Sequence, residues 1–248
     1  MIKSEFYDRR IEARHVDFTL QATLVAIGDH ILQVAGEDAD RNGWGVNDLK
    51  RHNASWVLSR FAVEMKRRPQ QYETIRIETW VSEVGRMTTT RNFRIWDAAG
   101  ELIGASVSNW AVIDLSTRTL LDLQKVIESD YCAQEEPLPI DRPGKIVRVT
   151  PTRTTEYRVV YSDIDFNRHV NSMKYLQWMV DMLPEAWHIE RHCSRYTLNF
   201  LHEAHYGDLL QICFEEAPVS LFEVRTEEGI PVCRAALEWQ LPCYGKLK

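Results

Sequence analysis

The chain has 248 residues, 44% of them hydrophobic, and a formal net charge of −6 at pH 7. That is enough to bury a sizeable core and too acidic for a general nucleic-acid binder, which needs a broad basic face. The opening stretch MIKSEFYDRRIEARHVDF has no apolar run suited to a signal peptide, and no segment approaches the roughly 18 apolar residues of a membrane span, so a soluble, cytoplasmic protein is expected.

The first half has one short helix candidate, GVNDLKR at 45–51. ETIRIETWVSEV (73–84) then reads as a strand rich in β-branched residues. RNFRIWDAAGELIGASVSNWAVI (91–113) alternates, turns near Gly100 and alternates again to Trp110. Residues 125–148 contain Pro137, Pro139, Pro143 and five carboxylates, break both periodicities and read as a linker. Beyond it, Met173, Leu176, Val180, Leu183 and Trp187 recur at three- and four-residue intervals. They predict one amphipathic helix that Pro184 ends or bends. GDLLQICFEE (207–216) and SLFEVRTEEGIPVCRAALEWQL (220–241) close the chain with the first half's strand pattern, turning at Gly229 and reaching Trp239. Ten residues separate Gly100 from Trp110 and Gly229 from Trp239, which indicates duplication of one antiparallel unit. The expected fold class is therefore α+β: two units, 1–124 and 149–248, each a long antiparallel sheet packed on a central helix, joined by 125–148.

The chemistry-bearing residues concentrate in SDIDFNRHVN, 162–171. If DIDFNRH is extended, Asp165, Asn167 and His169 share one side. The helix starting near Asn171 would aim unpaired N–H groups at the same surface, an arrangement suited to a carbonyl oxygen gaining charge during acyl transfer. The bland alternative is that Asp and Asn simply cap a loop and a helix; the spacing does not separate the two.

Several separated segments resemble one family. YSDIDFNRHVNSMKY (161–175) is similar to the signature of the bacterial acyl-acyl carrier protein (acyl-ACP) thioesterases, and its core to the wider hot-dog thioesterases acting on acyl-CoA. NGWG (42–45), SWVLSRFAVEMKRRP (55–69) and IETWVSE (77–83) resemble that family's first domain, in matching order. The resemblance runs from about Phe6 to about Trp239. It implies a tandem, double hot-dog fold and hydrolysis of fatty acyl-ACP in fatty acid biosynthesis. It also implies a catalytic set on Asp165, Asn167, His169 and Glu203, a first domain that shapes the acyl pocket, and no metal or other cofactor. Two departures stand out: Ser172 replaces the family's second asparagine, and Ala204 replaces a cysteine once proposed as nucleophile, so any catalysis must run through carboxylates. In that scheme Asp165 opens the thioester as nucleophile or base, Asn167 orients it, His169 carries a proton to the leaving thiolate, and Glu203, from a strand after the helix, activates water. The first half holds no matching Asp-x-Asn-x-His run.

Trp44, Trp56, Val57, Leu58 and Trp80 are candidate acyl-pocket residues, each also compatible with plain core, and Asn171 is a further substrate-binding candidate. The implied partner, acyl carrier protein, is acidic, which directs attention to Lys66, Arg67 and Arg68 and to Lys145, Arg148 and Arg153 as a docking patch. His188, His192 and Cys193 have zinc-like spacing, yet lack a fourth ligand. The cysteines, Cys132, Cys193, Cys213, Cys233 and Cys243, are odd in number and widely spaced, and predict reduced, mostly buried thiols. An acyl-CoA thioesterase, or an acyl-binding protein without turnover, remain the alternatives. A tandem unit supplies its own pairing, so a monomer or a homodimer fits.

Overall fold

A computed structural model of the protein describes residues 4–126 and 137–241. The chain divides into two compact units, Met1–Pro143 and Gly144–Lys248. The N-terminal unit runs β1 (Glu5–Arg10), a 3-10 turn (Ala13–His15), α1 (Leu24–Arg41), α2 (Val46–Arg51), β2 (Ala54–Met65), β3 (Thr74–Val84), β4 (Thr89–Trp96), β5 (Leu102–Asp114) and α3 (Leu123–Val126). The C-terminal unit runs β6 (Arg153–Arg158), a 3-10 turn (Tyr161–Asp163), α4 (Ser172–Asp181), α5 (Glu185–Glu190), β7 (His192–Phe200), β8 (Leu209–Glu215), β9 (Val219–Thr226) and β10 (Pro231–Gln240).

Within the first unit the strand order is β1-β3-β4-β5-β2, and within the second β6-β8-β9-β10-β7, the same path with every pairing antiparallel. The duplication read from the two Gly-to-Trp spacings is therefore a duplication of topology. Gly100 and Gly229 both sit at φ 81°, a conformation open to glycine, and each closes its hairpin with an N–H bond to the residue three back, Asp97 and Thr226. Each unit is a hot-dog module, and the chain is the expected α+β tandem.

The first unit's central helix corrects the sequence reading. It is α1, not 45–51, which forms only the short α2. Thr23 caps α1 by accepting the Ala26 N–H at 3.0 Å, and Leu24, Ile27, Ile31, Val34 and Ala35 make its buried face. That face also carries Asp38, only 3% exposed, which accepts from Arg91 at 2.5 Å on β4 and from the Tyr7 hydroxyl at 3.2 Å on β1. Burial, reinforced by the Asp38 charge, pushes Tyr7 up to about 12. In the second unit, Asn171 caps α4, whose Met173, Leu176 and Met179 are buried. The helix ends at Asp181, and Pro184 is the N-cap of α5, so Trp187 belongs to a second helix.

Part of the linker region 125–148 lies outside the described residues. Of the rest, Arg142 pairs with Glu83 at 2.7 Å and the Pro143 carbonyl accepts from Arg60. On the other side of the division, Ile146 N–H donates to Asn199 at 2.9 Å, and Ile146 and Val149 are buried in the second unit. Arg142 and Pro143 are thus tied to strands of the first unit, and Ile146 to β7 of the second. No helix among the described residues is long and apolar enough to cross a membrane.

Candidate active site

The stretch expected to be extended is a tight turn. Asp165 N–H donates to the His169 carbonyl at 2.8 Å and Arg168 N–H to the Asp165 carbonyl at 3.0 Å, with Arg168 at φ 68°. The Asp165 carboxylate organises this turn, because Oδ1 accepts the N–H groups of Asn167 at 2.8 Å and His169 at 3.2 Å. Asp165, Asn167 and His169 are thus linked through the backbone of a turn, the carboxylate holding the other two residues' N–H groups, rather than by strand alternation. The Asn167 side-chain amide makes no hydrogen bond among the described residues.

Two neighbours fix the turn. Asp163, 2% exposed, accepts from Tyr157 and from the Val160 N–H, both at 2.9 Å, and meets the Lys174 ammonium at 3.5 Å. The first aspartate of the motif is therefore structural. Asn171 spends its side chain on the Met173 N–H at 2.8 Å, so the helix N-terminus is partly self-capped and Asn171 acts as a cap. This reduces the set of free N–H groups expected there.

Glu203 comes from the loop after β7, not from the strand itself. Val170 N–H donates to the Ala204 carbonyl at 2.9 Å, and His169 pairs with His205 in an isolated antiparallel bridge. This register brings His169 Nε2 to 3.5 Å from Glu203 Oε2, with the His169 and His205 rings edge to face at 5.0 Å. Tyr175 of α4 lies beneath the loop, where burial drives its hydroxyl upward while it hydrogen-bonds the Ala204 backbone. The H-V-N-then-Tyr spacing marks this residue in the sequence, yet gives no hint that it anchors the Glu203 loop. His202 is turned aside, Nδ1 meeting the Pro231 carbonyl at 2.7 Å.

The first half, which has no Asp-x-Asn-x-His run, nevertheless repeats the backbone of the motif. VDFTLQAT (16–23) forms the same turn before α1: Asp17 N–H to the Gln21 carbonyl at 3.1 Å, Leu20 N–H to the Asp17 carbonyl at 2.9 Å, and Thr19 N–H to Asp17 Oδ1 at 2.8 Å. Leu20 sits at φ 60°, and Gln21 pairs with Gln70 as His169 pairs with His205. In the place of Glu203 stands Arg68, whose guanidinium donates to Asp17 Oδ2 at 2.7 Å and to Thr19 Oγ1 at 3.2 Å. Burial raises the Asp17 pKa, but the Thr19 hydroxyl and Arg68 outweigh it and hold the group below the usual carboxylate range.

The other candidates separate. Trp44 and Trp56 come together, Trp56 Nε1 donating to the Trp44 carbonyl at 2.8 Å, and pack against Leu49, Ala54, Val112 and Leu123. Val57, next to Trp56 on β2 and so on the opposite face of the strand, is half-buried, and Leu58 is core. Trp80 lies on β3, two strands away from β2's neighbour β5, and is 1% exposed under the Arg94 guanidinium. Of the basic residues, Arg67 is spent on Glu73 and Asp97, Arg68 on Asp17, and Arg153 on the Met182 carbonyl, whereas Lys66, Lys145 and Arg148 are exposed. His188, His192 and Cys193 form no metal-ligand cluster among the described residues. Cys193, Cys213 and Cys233 are buried free thiols, and burial pushes Cys233 up; Cys132 and Cys243 lie outside the described residues.

This architecture has known counterparts. Residues 4–133 match the family model of the acyl-ACP thioesterase N-terminal domain, and residues 147–241 that of the C-terminal domain. The crystal structure of an acyl-ACP thioesterase from Bacteroides thetaiotaomicron is 34% identical with a TM-score of 0.88, covering 96% of this chain and 98% of that one. A 12:0-ACP thioesterase from Umbellularia californica shares the fold at a TM-score of 0.79 and 20% identity, covering 96% of this chain and 97% of that one. The oleoyl-acyl carrier protein thioesterase of Coriandrum sativum is 23% identical over 81% of this chain, which spans only 59% of that relative's length. With both halves matched in order, the chain belongs to the acyl-ACP thioesterase family.

Proposed function

We propose that the protein hydrolyses the thioester of a fatty acyl chain carried on acyl carrier protein, releasing free fatty acid and ending its elongation. The observation that carries this reading is the 3.5 Å approach of His169 Nε2 to Glu203 Oε2 beside the Asp165 turn. A carboxylate and an imidazole at that distance form a base that takes a proton from water and an acid that returns it to sulfur. Asp165 has one oxygen occupied by two N–H groups and one left for the reacting carbonyl carbon or for water. As the new C–O bond forms, the C–S bond breaks and the thiolate takes its proton from His169. Asn167 orients the acyl group or the water. No thiol enters, because position 204 is alanine.

Recognition of the acyl chain is assigned to the N-terminal unit, where Trp44, Trp56 and Val57 are half-buried and so more accessible than the fully buried Trp80. For docking of the acidic carrier, the exposed candidates are Lys66 in the first unit and, separately, Lys145 and Arg148 in the second, since Arg67 and Arg68 serve internal ion pairs. A second reading has support from one observation: Asp17 builds the same turn without the same neighbours, so Asp165 is a structural residue in that reading and the Glu203–His169 pair alone activates water.

The test is hydrolysis of acyl-ACP and acyl-CoA thioesters over several chain lengths. Turnover with a preference for the carrier-protein substrate is the expected result. Preference for CoA would point to the acyl-CoA alternative, and no turnover of either by folded protein to an acyl-binding role.

A further inference from the structure

His169, Glu203 and His205 lie together in a way that the proposed hydrolysis does not use in full. His169 and His205 are opposed across an antiparallel bridge, which sets their side chains on the same side. Glu203 precedes His205 by two residues. One ligand-capable atom from each of the three lies within 4.8 Å of the others. His169 Nε2 and Glu203 Oε2, at 3.5 Å, already stand near the spacing of about 3.3 Å that two ligands adopt on a tetrahedral zinc ion with bonds of about 2.0–2.1 Å. The remaining gap closes by rotation of the exposed His205 and Glu203 side chains, by about 1.5 Å at most. Asp208, whose carboxylate accepts the His205 N–H and lies 4.0 Å from Nδ1, is the kind of neighbour that steadies a ligating imidazole.

The cluster is not a by-product of the loop's construction. In the N-terminal unit the same three positions carry Gln21, Arg68 and Gln70, with the same bridge between the first and last, and there the set contains no imidazole or carboxylate. Two imidazoles and one carboxylate, open to solvent for a fourth ligand, form a donor set suited to zinc and other borderline divalent ions.

We propose that His169, Glu203 and His205 bind one divalent transition-metal ion of the zinc class, and that the ion blocks thioester hydrolysis by occupying His169 and Glu203. The blockade rests on the catalytic roles proposed for those two residues; the binding does not. The experiment titrates untagged, full-length protein with Zn2+ by calorimetry and with Co2+ by visible absorption, for the wild type and for His205→Gln, which installs the residue found at the matching N-terminal position. One ion per wild-type chain, bound about tenfold or more weakly by His205→Gln, is expected. No binding, or equal binding by both proteins, overturns the site. Glu203→Gln provides a second loss of ligand should His205→Gln fold poorly, with the same expected weakening. Hydrolysis measured alongside should fall with Zn2+ occupancy in the wild type, return on adding a chelator, and resist Zn2+ in His205→Gln. Occupancy without inhibition would overturn the blockade and contradict the roles of His169 and Glu203, while leaving the ion site standing.

Discussion

The two turns that precede α1 and α4 share a backbone and differ in their side chains. Each begins with an aspartate whose Oδ1 accepts the N–H two residues on, at 2.8 Å in both, and each places a residue at positive φ three positions after that aspartate. At the N-terminal turn Arg68 lies on the aspartate, and the hydroxyl of Thr19 completes a closed, half-buried network. At the C-terminal turn a glutamate replaces the arginine, an asparagine the threonine and a histidine the glutamine. The aspartate then has no cation on it among the described residues, and a carboxylate–imidazole pair stands at the same turn. The lesson is that the aspartate builds the loop and its neighbours decide whether the loop can do chemistry.

The largest expected effect comes from making the second turn like the first. Glu203→Arg should set a guanidinium on Asp165 as Arg68 is set on Asp17, lowering kcat/KM by about a thousandfold without lowering the melting temperature. A variant with more than a tenth of wild-type hydrolysis would show that Glu203 is not needed. The converse, Arg68→Met, leaves Asp17 half-buried and unpaired. It should cost about 1 to 3 kcal/mol of stability in denaturant unfolding, since Thr19 still donates to Asp17, while leaving kcat/KM within a few-fold. Loss of hydrolysis in a folded Arg68→Met protein would mean that the first turn contributes to the reaction.

A smaller effect, confined to a pH window, comes from His30 on α1. It lies edge to face with His15 at 4.6 Å, with Nε2 3.3 Å from His15 Nδ1. Burial first, then the neighbouring His15, Arg9 and Arg14, lower it to about 4. Because the folded protein binds this proton less readily than the unfolded chain, stability is fully present above about pH 6.5 and is lost as the pH falls toward 4. The loss reaches at most about 3 kcal/mol. His30→Gln should flatten the fall in melting temperature between pH 6.5 and 4.5; an unchanged slope would place the acid sensitivity elsewhere. No counterpart of this window is expected around α4, where the position matching His30 is Trp178 and that matching His15 is Asp163.

The hairpins, the duplication and α4 were legible because each rests on a local signal: a glycine at a turn, strand alternation, an apolar stripe. Helix α1 was not, because Asp38 and His30 sit on its buried face and interrupt the stripe. Their partners, Arg91 and His15, are remote in sequence. The turn at 165–168 read as a strand because alternation of Asp, Asn and His mimics a sheet face, and because Arg168 occupies a positive φ that no glycine announces. The basic triplet 66–68 read as a surface patch for a related reason: Glu73, Asp97 and Asp17 reach it only in the folded chain. The N-terminal counterpart of the motif is invisible in the sequence because only its aspartate and phenylalanine are shared. The identity of the two turns lies in hydrogen bonds rather than in letters.

The most direct test is a matched pair, Asp165→Asn and Asp17→Asn, each keeping the Oδ1 acceptor its turn needs and removing only the charge. Hydrolysis of acyl-ACP and the melting temperature are measured for both. Asp165→Asn should lose about a thousandfold in kcat/KM with its melting temperature held, whereas Asp17→Asn should keep kcat/KM and melt lower for want of its pair with Arg68. Near-wild-type hydrolysis by a well-folded Asp165→Asn would contradict a chemical role for that carboxylate and leave it, like Asp17, a residue of the turn.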